Sequence, residues 1–404
     1  MSALLERLAP IDEAPDDGFA DLRKRAQKVL MQHGFPHRKT ENWKYTPLTL
    51  LDQRSFDASA TAGERAERPE LPFDCAVVHL HNGEVDPAAT RLPRGATLTG
   101  LVEDDIDVDA LVADGPNDAF AWLNIARLGQ GWKLVIDEPI ADPIVVLHTI
   151  DPGFESVVHP RLHVEMSPES SLTLIALQVG GGAGLVNAVQ DIRLGEGASL
   201  THIIDRCGHD TAWIEHATVR VAARATYRAF ASDAGGALTR QDLRVSLDAA
   251  DAAGAIHGVA TLGGRSLADY HTAIEHHVGP TQSREVFRIL ADDRATGVFN
   301  GRILIVPGAD DSHSEMSTGN LLLSENARIN TKPELEIHAE DVTASHGATI
   351  GQLDDDARFY LRSRGLTDAE ATGLLKYGFA AAAFDDLEAG PIKDWLLERL
   401  KARA

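Results

Sequence analysis

Between about Trp132 and Ile350 the chain runs in short stretches where apolar and polar residues alternate, broken by turns rich in Gly, Asp and Ala. A period of two sends successive side chains to opposite faces, so each stretch is a predicted strand with one buried face. A phrase recurs at the junctions: MSPESSLTL from Met166, LGEGASLTHI from Leu194, VAARATYRAF from Val221, LADDRATGVF from Leu290 and LSENARINT from Leu323. Each copy is an apolar residue, a turn of small or charged residues, then an alternating strand. Met166 to Leu194 is 28 residues and Leu194 to Val221 is 27. Repeats of that length are stacked units that share one continuous core, and strands this short leave a β-helix solenoid or a meandering sandwich as candidates. Periodicity does not choose between them.

The flanks change period. From Asp16 to His33 the apolar residues Phe19, Leu22, Ala26, Val29 and Leu30 recur at steps of three and four, and Gly34 with Pro36 marks a helix end at His33 or Gly34. Trp43, Tyr45 and Leu48 are expected to pack this helix onto the body. The Ala-, Glu-, Arg- and Thr-rich stretch from Ser55 to Pro72 reads as a surface connection, and Ala110 to Arg127 holds enough apolar residues for a helix. Lys133 to Ile136 then opens the β-rich region. Near the other end, Glu334, Glu336, His338 and Glu340 alternate with Leu335, Ile337 and Ala339, predicting a strand with one polar face. Asp354, Asp355 and Asp356 suit the positive end of a helix dipole. Gly365 stops that helix, Thr367 and Glu370 form a capping box for the next, and Pro391 opens a last amphipathic one with Ile392, Trp395, Leu396 and Leu400. Three regions follow: 1–130 helical or mixed, 131–352 the β core, and 353–404 helical. Apolar surface left bare on the C-terminal hairpin would mark a docking site.

Composition narrows the class. At 404 residues the chain can hold a large central body with smaller appendages. Only 5% of it is aromatic, which favours a core of Val, Ile, Leu and Ala. A net charge of -23 argues against nucleic acid as a partner, because neutralising phosphates takes clustered Lys and Arg. Cys75 and Cys207 are the two cysteines, too few for a disulfide framework, a four-thiolate cluster or a closed zinc site. No secretory leader pattern and no run of about 18–20 apolar residues occurs, so a cytoplasmic chain without membrane contact is expected. The short signatures G-x-S-x-G, H-E-x-x-H and G-x-x-x-x-G-K-[ST] do not occur, which removes the best pointers to hydrolase, metalloprotease or NTPase work. Gly180 to Gly184 is expected to be a turn of the solenoid.

Two long segments carry a resemblance. PELEIHAEDVTASHGATIGQLDDDARFYLRSRGL, residues 333–366, resembles the C-terminal signature of the SufB/SufD family of iron-sulfur cluster assembly proteins, with SHGAT and FYLRSRG closer to its SufD branch. GFPHRKTENWKYTPL, Gly34 to Leu48, resembles that branch's N-terminal entry. The resemblance implies a mainly β chain with a right-handed parallel β-helix core and helical N- and C-terminal regions. It implies a non-catalytic scaffold subunit that pairs with a SufB-like paralogue, or with itself as a homodimer. A SufC-type ATPase would dock on the hairpin at Phe359, Tyr360, Leu361, Arg362, Arg364 and Gly365. Cargo would be a transient iron-sulfur cluster or iron at the partner interface, with nothing bound permanently.

His346 is the candidate metal ligand. Ser345 and Gly347 leave its imidazole reachable, and imidazole binds iron and zinc. Spacing alone favours a hydrogen-bonded structural histidine in a turn; the resemblance reverses this and implies an interface ligand shared with the partner. Many relatives carry a cysteine where this chain has Ala344, so no thiolate is available there. His271, Glu275, His276 and His277 look like a metal group, yet alternation leaves at most Glu275 with His277, or His276 alone, on one side. His313 and Glu315 near Asp310 and Asp311 suit a cation or a solvated loop. Cys207 reads as an inert core residue. A rival function is a β-helix carbohydrate-active enzyme using Asp292, Asp293, Asp310 and Asp311 as acid, base or calcium ligands.

Overall fold

The computed structural model describes Leu4, Leu8 and residues 17–37, 39–56, 65–106, 119–207 and 210–403. Two ten-stranded sheets face each other and form a β-solenoid of about eight turns. The first sheet runs β2 (Glu84–Val85), β1 (Ala76–His81), β5 (Ile144–Ile150), β8 (Ser171–Gly180), β10 (Ser199–Arg206), β12 (Thr226–Asp233), β14 (Ala253–Leu262), β16 (Gln282–Ala291), β18 (Ser312–Leu322), β20 (Val342–Gly351). The second runs β19 (Arg328–Ile337), β17 (Thr296–Ile305), β15 (Leu267–His276), β13 (Leu238–Leu247), β11 (Ala212–Val221), β9 (Leu185–Leu194), β7 (Arg161–Met166), β4 (Trp132–Ile136), β3 (Ala96–Gly100), with β6 (Val157–Val158) paired to β9. From β8 onward successive strands alternate between the sheets, so one coil is two strands and two corners, which is the 27–28-residue repeat.

The recurring phrase is a corner, leading into a first-sheet strand in the copies from Met166, Leu194 and Val221 and into a second-sheet strand in those from Leu290 and Leu323. Glu169, Gly197, Arg224 and Asp251 each stand two residues before a first-sheet strand, and each has φ near +60°. The Glu169, Gly197 and Arg224 amides donate to Glu196, Ala223 and Ala250 carbonyls one coil on, and Asp251 donates to Pro280. The turn chemistry therefore repeats because each corner is hydrogen-bonded to the next. Apart from the antiparallel pairs β1–β2 and β3–β4, strand pairs are parallel and in register, so like-facing side chains stack: Leu172, Leu200 and Tyr227 form one inward column. In another inward column, Gly258 stands between Ala231 and Phe287 and leaves room for the Phe287 ring of the following coil.

Helices cover both outer faces. α1 (Ala20–His33), α2 (Thr49–Asp52) and α3 (Ala119–Ala126) lie over the start of the second-sheet strands, where Leu22, Leu30, Trp43 and Phe120 pack on Leu185, Ile214 and Leu238. On the first sheet, α5 (Asp368–Ala381), the 3-10 turn Ala382–Phe384 and α6 (Pro391–Arg403) place Phe384, Trp395, Leu396 and Leu400 against Ile175, Ile203, Phe230 and Leu290. Strands buried on both faces read as nearly continuous apolar runs, and VVLHTI and LTLIAL do. Among the described residues no helix is long and apolar enough to cross a membrane.

Several expectations need adjustment. Of the helix expected over Asp16 to His33, α1 begins at Ala20, Asp16 lies outside the described residues, and the helix ends before Gly34, whose φ is +70°. Of the helix expected over 110–127, α3 covers 119–126; 110–118 lie outside the described residues. Residues 57–64 of the expected connection do too. β1 pairs in register with β5, and β3 runs antiparallel to β4, so the rod begins with residues on both sides of position 131.

Candidate functional site

The two ends of the rod differ. At the start, the first sheet closes with the two-residue antiparallel strand β2 and the second with antiparallel β3, which are short, blunted edges. At the other end, among the described residues, β20 pairs only with β18 and β19 only with β17, so both sheets finish on a ten-residue strand with a bare edge. Ile337 and Ile350 are 41% and 48% exposed there.

His346 lies on this end. Its register partner is Met316, which is 1% exposed and belongs to the solenoid core. Side chains paired in register share a face, so Val342, Ala344 and His346 occupy inward positions of the last coil, above Ser312, Ser314 and Met316. Val342 and Ala344 still pack on the core, whereas His346 is exposed because no further coil covers it. The ring therefore faces along the rod toward whatever meets its end.

Beneath it stand Met316, Glu285 and Ile256, one per coil, about 4.8 Å apart. Glu285 is fully buried, and among the described residues no donor meets hydrogen-bond geometry at either of its oxygens. Burial pushes its carboxyl up to about 8, with the nearby Thr272 hydroxyl offsetting this only in part. The polar face predicted on β19 is an ion-pair ladder: Lys332 Nζ lies 3.0 Å from Glu334 and 3.3 Å from Glu41, while Arg302 bridges Glu275 at 2.7 Å and Glu336 at 3.4 Å.

The C-terminal hairpin projects a second surface. α4 (Asp355–Ser363) starts at Asp354, whose side chain accepts from the Asp356 and Ala357 amides, and none of its residues is buried. Gly365 takes φ +103° at the bend, and Thr367 and Glu370 form the expected capping box. Phe359 is 72% exposed and Tyr360 55%, with Leu374 bare on α5. Leu361 is half-buried; Arg362, Arg364 and Gly365 are exposed. Arg364 lies over the Tyr360 ring at 5.1 Å, and Arg362 lies 3.5 Å from Asp368.

Other candidates are dispersed. His276 is buried, with ring nitrogens on Thr281 Oγ1 at 2.7 Å and Ser283 Oγ at 2.9 Å, while His277 and Glu275 share the outer face 3.4 Å apart. Among the described residues no group of three or more His, Cys, Asp or Glu is placed to hold a metal ion. Asp292 and Asp293 sit at the corner between β16 and β17, Asp310 and Asp311 at the opposite corner between β17 and β18. Asp293 accepts from the Gly264 amide and Asp310 from the Glu340 amide, so these carboxylates join turns and line no common cleft. Gly180–Gly184 is the corner between β8 and β9. Cys207 departs from expectation: it is half-buried, and Arg399 Nη2 donates to its Sγ at 2.7 Å and Arg403 Nη2 at 3.4 Å. Both arginines also pair with buried Asp205, so this cluster ties α6 to the rod.

Sequence reading expects helices at both termini to cap the rod's open edges, and it missed that this end stays bare. The signal was available, since the last strand is followed by a helix start at Asp354 with no later strand to stack on it. It also missed Glu285, which occupies an inward position that the alternation assigns to apolar residues.

Comparison with known proteins adds two family matches: a model described as SUF system FeS cluster assembly, SufBD core domain, matches residues 148–379, and one described as SufBD protein N-terminal region matches residues 5–86. The iron-sulfur cluster assembly protein SufD of Escherichia coli (strain K12) is 29% identical over 389 residues, spanning 93% of this chain and 90% of its own. An iron-sulfur cluster assembly SufBD family protein of Synechocystis is 28% identical over 430 residues, spanning 99% and 94%. SufD of Bacillus subtilis (strain 168) is 32% identical over 140 residues, 35% of this chain.

Proposed function

This chain belongs to the SufBD family of iron-sulfur cluster assembly proteins and is SufD-like, and from that premise we propose that it is a non-catalytic scaffold subunit whose bare rod end pairs with a SufB-like paralogue. The observation that carries this reading is the exposed, inward-placed His346 on an uncapped last coil. A stacked-strand rod with two open edges is completed by another set of strands. In such a pairing His346 stops being a surface residue and becomes half of a site at the junction.

One imidazole with Ala344 beside it cannot hold iron or a cluster alone, so the partner supplies the remaining ligands, thiolates among them. Iron and sulfide are cargo here, bound while the cluster is built and then passed on. A SufC-type ATPase docks on the hairpin, where Phe359 and Tyr360 offer aromatic anchors ringed by Arg358, Arg362 and Arg364. Nucleotide-driven approach of two ATPase subunits would move the hairpin, twist the paired rods and open the junction to cargo.

The test is co-expression with the paralogue and the ATPase, followed by anaerobic cluster formation. His346→Ala is expected to leave the complex assembled and to reduce cluster formation at least about tenfold; unchanged formation rejects the metal role. Phe359→Asp, or Arg364→Glu, is expected to release the ATPase, and retention of the ATPase rejects the docking assignment.

A further inference from the structure

The lumen of the rod is polar along one edge, where first-sheet strands end and second-sheet strands begin. Arg206 and His202 share the inward face of β10, with Glu215 facing them from β11, Gln190 from β9 and Gln241, the register partner of Glu215, from β13. His148 stands on β5, two coils from Arg206 in the same column. All six are more than nine-tenths buried.

Part of this cluster is paired across the lumen. Arg206 Nη2 donates to Glu215 Oε2 at 2.7 Å, Trp213 Nε1 donates to the same oxygen at 2.9 Å, and Gln190 Nε2 reaches Glu215 Oε1 at 3.4 Å. His202 Nδ1 meets the Tyr227 hydroxyl at 3.1 Å. Among the described residues five of their buried atoms have no protein partner: Arg206 Nη1, Gln241 Nε2, Gln190 Oε1, His202 Nε2 and His148 Nδ1. Buried polar atoms in native proteins are almost always bonded to protein or to ordered water.

We propose that this edge of the lumen is a built hydration site, in which ordered water molecules bridge Arg206, Gln241, Gln190, His202 and His148. Two features select water over an ion. The unpartnered set contains donors, Arg206 Nη1 and Gln241 Nε2, and an acceptor, Gln190 Oε1, which together need a guest that both accepts and donates. The local charges point the same way. Burial drives His148 and His202 down to about 4, leaving both neutral, and burial opposes ionisation of Glu215, but Arg206 outweighs it and holds that carboxyl below its ordinary value. Arg206 faces Glu215 and, one coil on in its own column, Asp233, whose carboxyl burial pushes up, so no surplus positive charge is left to hold an anion, and the Arg206 donor disfavours a cation in a low-dielectric interior. The inference does not depend on the scaffold reading.

The test is a crystal structure of the full chain at a resolution that shows ordered solvent. Water density within about 3 Å of Arg206 Nη1 and Gln241 Nε2 is expected. A lumen in which those atoms pair directly with protein, or density for an ion or organic guest, overturns the proposal. Magnetic relaxation dispersion in solution provides the second readout. A Gln190→Met, Gln241→Met double variant that keeps the native circular dichroism spectrum is expected to hold fewer long-lived waters, and an unchanged number counts against the site.

Discussion

Glu285 and His346 stand in one inward column, two coils apart, and their environments are opposite. Glu285 is sealed in, and its folded-state carboxyl titrates near 8 against an ordinary value near 4.5. The folded chain therefore keeps a proton that the unfolded chain has lost, so stability falls as pH rises from about 4.5 to about 8 and is flat above that. The span corresponds to at most about 4–5 kcal/mol. Urea midpoints measured from about pH 6 to pH 9 should decline in the natural chain and decline less in Glu285→Gln; equal slopes would contradict the buried-acid assignment. His346 is exposed, so His346→Ala should change the unfolding free energy by less than about 0.5 kcal/mol while removing the proposed metal role. The two residues also differ in legibility. His346 was readable because it sits in the SHGAT segment, whereas alternation labels Glu285 only as inward, and nothing in a single sequence says whether an inward carboxyl finds a partner.

Among the elements, capping chemistry was the most legible. Gly34, Gly365 and the Thr367–Glu370 box stand where the sequence placed them, because each satisfies backbone groups at a helix end through local atoms. The docking of the N-terminal segment was foreseen only as aromatic packing; its other half is Arg240, which is far away in sequence. Arg240 lies 4.0 Å from the Trp43 ring, donates to the Asn42 carbonyl at 2.7 Å and pairs with Asp242 and buried Asp269, which also accepts from Thr46. Arg240→Ala would remove the cation that Asp242 and Asp269 share, at a cost of about 3–5 kcal/mol. Lowered thermal stability with faster proteolysis near residues 37–48 is expected; a wild-type melting profile would show that the clamp is unimportant. Phe359→Asp belongs to the other class of change, since α4 buries no residue: melting should be unaffected while ATPase binding is lost.

At the scale of the whole molecule, the repeat was visible but its stacking was not. Period-two runs at 27–28-residue spacing fit a solenoid or a sandwich, and only long-range register, such as Leu172 on Leu200 on Tyr227, separates them. β1 and β3 escaped sequence reading because neither carries the corner phrase and β3 joins antiparallel. The bare end is likewise a property of the assembled rod, produced by two strands that nothing later in the chain covers.

That end is the central claim, and hydrogen exchange tests it most directly. Amide exchange should be followed in the chain alone, over a dilution series that reaches the monomer, and in complex with the SufB-like paralogue. The account predicts that residues 328–337 and 342–351 become strongly protected in the complex while the blunted start at 76–100 is unchanged. Unaltered exchange in β19 and β20, with protection appearing elsewhere on the rod, would contradict it.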